Sequence, residues 1–442
     1  MRSKWLQMAV LCASAAIALG PAVSPAAAQA PPVLTVEQAV TTALDKHPSI
    51  LTATKVVEAA EARVVQAKAG GAISVSINAN ASVGNLGPGG TPTGTDPKVS
   101  HSVSLDGSLP LYDGGILAQQ VAQAEAGLQS AQFALTAAKQ DVAVAAARAY
   151  FQALRAARVV EAREAALRAA QEQVRQAEAL VRAGTAARAD VLTAQAAAAS
   201  AEVELIAAQG QVALTQASLR NTMGVPLVQA FALVDPGDPQ PVSITPEQAA
   251  TEAAAARAEV KRAAADVRAS EAALRIAEIR AGVLINISAG ASVQISPNPG
   301  QAGWSLGASA SYPVADGGKA KAAVEEARAN VAAARSRMDT TTQQVQLQAF
   351  QSALSVREFV ARVRATQAAL AAAEEAARAA DGRYRAGVGT VLDVTVAQSN
   401  LVQARVGSVQ TLYDLHQAIA TLRHDLGQPV LARLTSAAGA MA

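Results

Sequence analysis

The residues of this 442-residue chain whose types could do chemistry are few and dispersed. Its four histidines, His47, His101, His416 and His424, lack the short spacing by which two imidazoles share a metal. Its one cysteine, Cys12, offers neither a disulfide nor a thiolate cluster. Gly387-x-Gly389 lacks the third glycine and the preceding strand of a dinucleotide-binding turn. No Ser/His/Asp set and no paired carboxylates stand out. The expectation is a protein that catalyses nothing and carries no cofactor or metal. Asp113 and Asp316 each precede a pair of glycines, and helix capping accounts for both. Asp393 stands where a carboxylate favours a helix N-terminus.

The elements around these residues begin with an export signal. Arg2 and Lys4, an apolar stretch to Leu19 and an Ala26-x-Ala28 ending make residues 1–28 a secretory signal peptide. Cys12 follows Leu11, not the small residue of a lipoprotein signal. Of the 37 basic residues, 35 remain without Arg2 and Lys4, equal to the 35 acidic ones. A neutral balance gives no electrostatic footing for nucleic acid. Aromatics are 3% and alanine dominates, which favours long, closely packed helices over a bulky core. After Ala28 no run of about 18 uncharged apolar residues occurs, so any bilayer crossing is expected to use strands.

The chain is duplicated. Leu34-Thr35-Val36-Glu37-Gln38-Ala39 returns as Ile244-Thr245-Pro246-Glu247-Gln248-Ala249, offset by 210. Asp113-Gly114-Gly115 returns as Asp316-Gly317-Gly318, and Arg182-Ala183-Gly184 as Arg385-Ala386-Gly387, both offset by 203. Asp190-Val191 and Leu219-Arg220 with Gly224 and Pro226 keep that second offset. The first copy thus spans 29–227 and the second 244–430, joined by a proline-rich linker at 228–243, with a tail at 431–442.

Each copy reads as helix, strand pair, long helix, turn and helix. The first helix covers 35–69, opened by Thr35. A hairpin over 72–109 alternates Val75, Ile77 and Val83 with Ser74, Ser76, Asn78, Asn80 and Ser82, around a Gly/Pro/Thr-rich loop at 84–98. Its mate covers 283–312 around a shorter loop at Pro297–Gly300, which explains the seven-residue change of offset. Long helices at 116–183 and 319–384 carry apolar residues every seventh position, as in Leu128, Leu135 and Val142. Shorter helices follow at 187–223 and 389–427. About 68 helical residues reach roughly 100 Å, matched by the two shorter helices of a copy stacked end to end. Four strands of transmembrane length cannot close alone, and an open edge in lipid costs several kcal/mol per unpaired group, so the chain is expected to oligomerise.

This order of signal, helix, strand pair, Asp-Gly-Gly, long helix, Arg-Ala-Gly turn and helix, all duplicated, resembles the TolC-type outer-membrane efflux proteins over nearly the whole chain. The resemblance implies a mainly α fold with a transmembrane β part. It further implies a homotrimer whose four strands per protomer complete a 12-stranded barrel in outer-membrane lipid, continued by a long periplasmic helical tunnel. It also implies a passive channel in a tripartite efflux or type I secretion system, with a periplasmic adaptor (membrane fusion) protein and an inner-membrane transporter as partners, and no nucleic acid. A periplasmic coiled-coil adaptor or scaffold is the alternative. Adaptors carry one helical hairpin between small β domains, whereas two full copies stand here.

By the same resemblance the helix-to-helix turns, Gly184 and Thr185 in one copy and Gly387, Val388, Gly389 and Thr390 in the other, receive the adaptor, although glycine there also simply permits the reversal. Asp393 matches an aspartate lining the tunnel's narrowest point, where three copies would form an acidic ring. The site one turn on, acidic in some relatives, is Val396. Tyr384 matches a gate residue, with Asp190 as its expected partner. Gly389 replaces an arginine of that network, leaving Arg385 and Arg182 as expected substitutes. Tyr384 also reads as the last residue of an apolar stripe.

Overall fold

The structure, a computed structural model, describes residues 33–84, 98–227, 231–239, 243–282, 287–295, 303–307 and 315–430. The expected signal peptide, the tail and both hairpin loops lie outside these residues, as do parts of the linker and second hairpin.

Alanine-rich stretches without internal proline give helices of unusual length. In the first copy α1 covers Val36–Lys46, α2 Pro48–Ala69, α3 Ile116–Arg182 and α4 Arg188–Thr222. In the second, α5 covers Pro246–Ala256, α6 Ala258–Ala281, α7 Lys319–Arg385 and α8 Val391–Asp425. α3 and α7 each hold 67 residues, or about 100 Å. Both long helices start and stop at positions 203 apart, so the duplication read from motifs is reproduced in the backbone. Buried methyl groups contribute only about 0.8 kcal/mol each, so stability accumulates along the contact length instead of in one large core.

The expected single helix over 35–69 is in fact two. Thr35 opens α1 with a capping box through Gln38, and α1 stops at His47, whose extended backbone also starts α2. Pro48 explains the break: it has no N–H to donate and biases the preceding residue away from helix. The second copy breaks in the same place at Arg257, without a proline following. The caps of the long helices also differ in detail from expectation. Gly115 and Gly318 are the cap residues, while Asp113 accepts from the N–H groups of Gly115 (2.8 Å) and Leu117, and Asp316 from those of Gly318 and Ala320.

The short helices do stack end to end. Gly224, just past α4, has φ +65°, and a Cβ there would stand 2.8 Å from the Lys46 carbonyl oxygen at the end of α1. Gly427 meets Ala256 in the second copy in the same way. At this level a two-stranded parallel sheet, unforeseen from the sequence, pairs β1 (Val33–Leu34) with the linker's β4 (Ala232–Leu233). Tyr150, midway along α3 and fully buried, donates its hydroxyl to the carbonyls of Leu34 (2.9 Å) and Val234 (2.6 Å) and accepts from the Val234 N–H.

A four-stranded antiparallel sheet caps one end, ordered β2 (Ser74–Gly84), β3 (Lys98–Tyr112), β5 (Ile287–Ile295), β6 (Gly303–Gly307). β3 runs three residues past the expected hairpin end and joins the two hairpins through β5. Register aligns Ser76, Asp106, Ser292 and Ser305 in one row and Ile77, Leu105, Val293 and Trp304 in the next. On β2 and β3, Ser76 and Asp106 therefore occupy one face and Ile77 and Leu105 the other. Ile77 is 73% exposed in this single chain.

Helix neighbours follow the same lateral order as the strands. Beside the sheet the sequence is α2, α3, α6, α7; beyond the small sheet it is α4, α3, α8, α7. By length and composition α4 holds an 18-residue window of mean hydropathy 1.3, apolar enough to cross a bilayer, though not free of charge. Glu202 and Glu204 interrupt that stretch, and Glu204 pairs with Arg163 of α3 at 3.2 Å, so α4 lies along the helical bundle.

Candidate functional site

The far end of the bundle is built by two tight turns. After α3, Gly184 adopts φ +76° and the Thr185 amide and hydroxyl both donate to the Leu180 carbonyl (3.0 and 3.1 Å). After α7, Gly387 adopts φ +74° and the amides of Val388 and Gly389 converge on the Arg383 carbonyl. A Cβ on Gly389 would press on Arg383 and the Tyr384 nitrogen at 3.2 Å, which explains why the longer turn needs this second glycine. Gly184, Thr185, Gly387, Val388 and Thr390 are exposed, Val388 to 77%.

The expected gate residues divide into two groups. Tyr384 is 5% exposed and packs with Ala177 and Ala194 of the first copy and Ala380, Val391 and Val394 of the second. It therefore is the end of an apolar stripe, yet its buried hydroxyl has no hydrogen-bond partner among the described residues. Asp190 is half-buried close by; burial first, and then its negative charge, push the phenol's pKa up. The pair is adjacent without being hydrogen-bonded.

Asp393 is engaged elsewhere. Its carboxylate accepts from the Thr390 N–H (3.0 Å) and hydroxyl (2.8 Å), and the Thr390 hydroxyl accepts in turn from the Asp393 N–H. This reciprocal cap starts α8, and the bonds from Thr390 hold the exposed carboxyl below the usual carboxylate range. Arg385 is exposed and pairs with Asp381 one turn back at 2.9 Å, and exposed Arg182 has no partner among the described residues. Neither arginine reaches Tyr384 or Asp393.

Two features escaped sequence reading. Gln173 of α3, 6% exposed, donates to the Val391 carbonyl (3.3 Å) and the Thr395 hydroxyl (3.1 Å), fastening α3 to the start of α8. Near the opposite end of α8 lies a buried ionic network. Arg257, 4% exposed, grips Glu259 through two nitrogens (2.6 and 2.8 Å) and reaches Asp425 at 3.0 Å. His424 lies between Asp425 (2.9 Å) and Asp141 of α3 (3.0 Å). Burial alone would push the His424 pKa down, but hydrogen bonds to Asp141 and Asp425 outweigh it and leave it raised. The repeat gives no counterpart to this network: the first copy has His47, Ser49, Asn221 and Thr222 at the corresponding places.

A duplicated array of long helices, ending in a four-stranded antiparallel sheet whose first two strands carry one apolar and one polar face, defines a protomer of a TolC-like outer-membrane channel. Residues 39–225 and 249–428 match the family described as "Outer membrane efflux protein", and the chain belongs to that family. The solved structure of the outer-membrane channel OprN superposes with a TM-score of 0.77 over 89% of this chain and 90% of its own, at 20% identity. The outer membrane protein VceC of Vibrio cholerae gives 0.75 over 89% and 96%, at 23% identity. Nodulation protein T of Rhizobium leguminosarum bv. viciae is 28% identical over 306 residues, 68% of this chain. That match spans 62% of the relative's length. The protein is therefore placed in the outer membrane of a Gram-negative cell with a helical tunnel in the periplasm.

Proposed function

We propose that three copies of this chain form a closed, passive conduit, the exit duct of a tripartite efflux or type I secretion system. A periplasmic adaptor engages the turns at Gly184–Thr185 and Gly387–Thr390, and an inner-membrane transporter loads the cargo. The observation that carries this reading is where the exposed apolar residues lie. On the helices well away from the turns they occur on α2 (Leu51, Val56, Val65), α4 (Val203, Ile206, Leu214) and α7 (Leu347, Phe350, Leu354), while Leu192 of α4 and Leu392 and Val396 of α8 lie beside the two turns. α2, α4 and α7 are the lateral edge helices of the two layers; of the interior helices, α3 and α6 expose no large apolar residue and α8 exposes only Leu392 and Val396, beside the turn. The sheet has its open edges, β2 and β6, in the same lateral order. An apolar edge facing a different apolar edge is a head-to-tail contact, which closes into a ring when the rotation fits. Three copies bring the strand count to twelve, within the range that encloses a lumen.

At the narrow end we propose that Tyr384 and Asp190 act in closure, the unpartnered hydroxyl finding its acceptor when neighbouring chains tighten. Asp393 then lines the constriction, its charge kept by the Thr390 cap. The test is the protein in detergent and in planar bilayers: a trimer by light scattering with discrete conductance steps supports the conduit. A stable monomer that leaves bilayers silent overturns it.

A further inference from the structure

We propose that Asp106 is an ion-selectivity determinant of this conduit: one carboxylate per chain, three around the axis, placed in the barrel lumen to favour cations over anions. The inference rests on the channel reading above and adds a residue to it. Asp106 is the only acidic residue among the described residues of the four strands; the basic ones are Lys98, eight positions away at the far end of β3, about 26 Å along the strand, and His101, five positions away in a row of the other parity, opposite Ala81. An ionisable group at mid-strand in a membrane-spanning sheet is costly unless it faces water, and where one occurs it marks a conduction path. Its row places it on the polar face with Ser76, between rows of apolar residues that suit lipid.

The side chain is also aimed. Asn78 Nδ2 donates to Asp106 Oδ2 at 2.8 Å from the neighbouring strand, and Ser104 Oγ donates to the same oxygen at 2.8 Å. Both donors stand on the polar face, so the carboxylate is held along the wall on the lumen side and its other oxygen, Oδ1, has no partner among the described residues. Twelve strands about 4.8 Å apart and tilted about 40° give a backbone radius of about 12 Å. The screening length is about 10 Å at 0.1 M salt and about 3 Å at 1 M. Three fixed charges on such a wall bias the whole cross-section in dilute salt and only their immediate vicinity in concentrated salt.

The experiment is the reversal potential of the full-length protein in planar bilayers under a potassium chloride gradient, for wild type, Asp106→Asn, Asp106→Glu and Asp393→Asn. The wild type is expected to prefer cations when the dilute side is about 0.1 M. Asp106→Asn loses most of that preference, Asp106→Glu keeps it, and the difference vanishes when both sides exceed about 1 M. If Asp106→Asn does not insert, Asp106→Cys in a Cys12→Ser background is labelled after insertion. An anionic thiol reagent should then restore cation preference and a cationic one reverse it. A conducting Asp106→Asn channel with the wild-type reversal potential, or selectivity that responds to Asp393→Asn alone, overturns the proposal and leaves the conduit standing. A wild type that never conducts overturns both.

Discussion

At the scale of single residues, the buried network around His424 makes stability depend on pH in a specified direction. A histidine whose folded pKa is raised adds stability that is fully present below its unfolded value near 6.5 and is lost as pH rises through the folded value. The carboxyls of Asp141, Asp425 and Glu259 are lowered, Asp141 chiefly by its bond to His424 and the other two because His424 and Arg257 outweigh their burial. Their contribution is present above their ordinary values and fades as pH falls. The melting temperature is therefore expected to decline from mildly acidic to alkaline pH, and His424→Asn should flatten that decline. A variant whose melting curve follows the wild-type pH dependence would show that the histidine is not the titrating group. Tyr384→Phe offers a second residue-scale check. Removing a buried hydroxyl that lacks a partner should leave the melting temperature unchanged or slightly raised. If neighbouring chains supply its acceptor, the same variant raises the resting conductance, measured as open probability in bilayers.

At the scale of elements, two junctions hold the layers in line. Tyr150→Phe deletes the donor to Leu34 and Val234 and the acceptor for Val234 N–H. The expected cost is about 1–3 kcal/mol, with faster hydrogen exchange at the Val234 amide as the local signature. Gly224→Ala meets both a left-handed φ and the Lys46 carbonyl, and should cost at least about 1–2 kcal/mol. Gly127→Ala, in α3 with nothing within 4 Å of the added Cβ, should instead stabilise by up to about 1 kcal/mol. Thermal melts of the detergent-solubilised protein separate the two. The elements were largely legible beforehand because their boundaries are written twice: a motif that recurs at 203 names both the end of α3 and the end of α7. The break in the first helix could have been taken from Pro48, and its echo at Arg257 only from the 210 offset. The ionic network was not legible, because residues 141, 257, 259, 424 and 425 meet only after α3, α6 and α8 are packed. Asp393 shows the opposite limit. Its position was clear, but nothing local in sequence says whether a carboxylate at that point caps a helix or faces a pore, and here it demonstrably caps.

At the scale of the whole molecule, the lateral order of helices and strands makes assembly the main consequence of the fold. A charge on an edge helix should block the ring without unfolding the chain, since Ile206 is 61% and Phe350 37% exposed in the single chain. Ile206→Asp combined with Phe350→Asp is expected to give a helical, monomeric protein by circular dichroism and light scattering. A trimer persisting in that double variant would place the contacts elsewhere.

The duplication is close in backbone and uneven in chemistry at the turns. The second turn carries two glycines and the Thr390–Asp393 cap, whereas α4 begins at Ala187 with no side-chain cap. A ring of three such chains would present six loops in strict alternation, three leading into a side-chain-capped helix and three into an uncapped one. A visiting protein built with sixfold symmetry would then meet two kinds of berth, and could seat three of its arms more firmly than the other three.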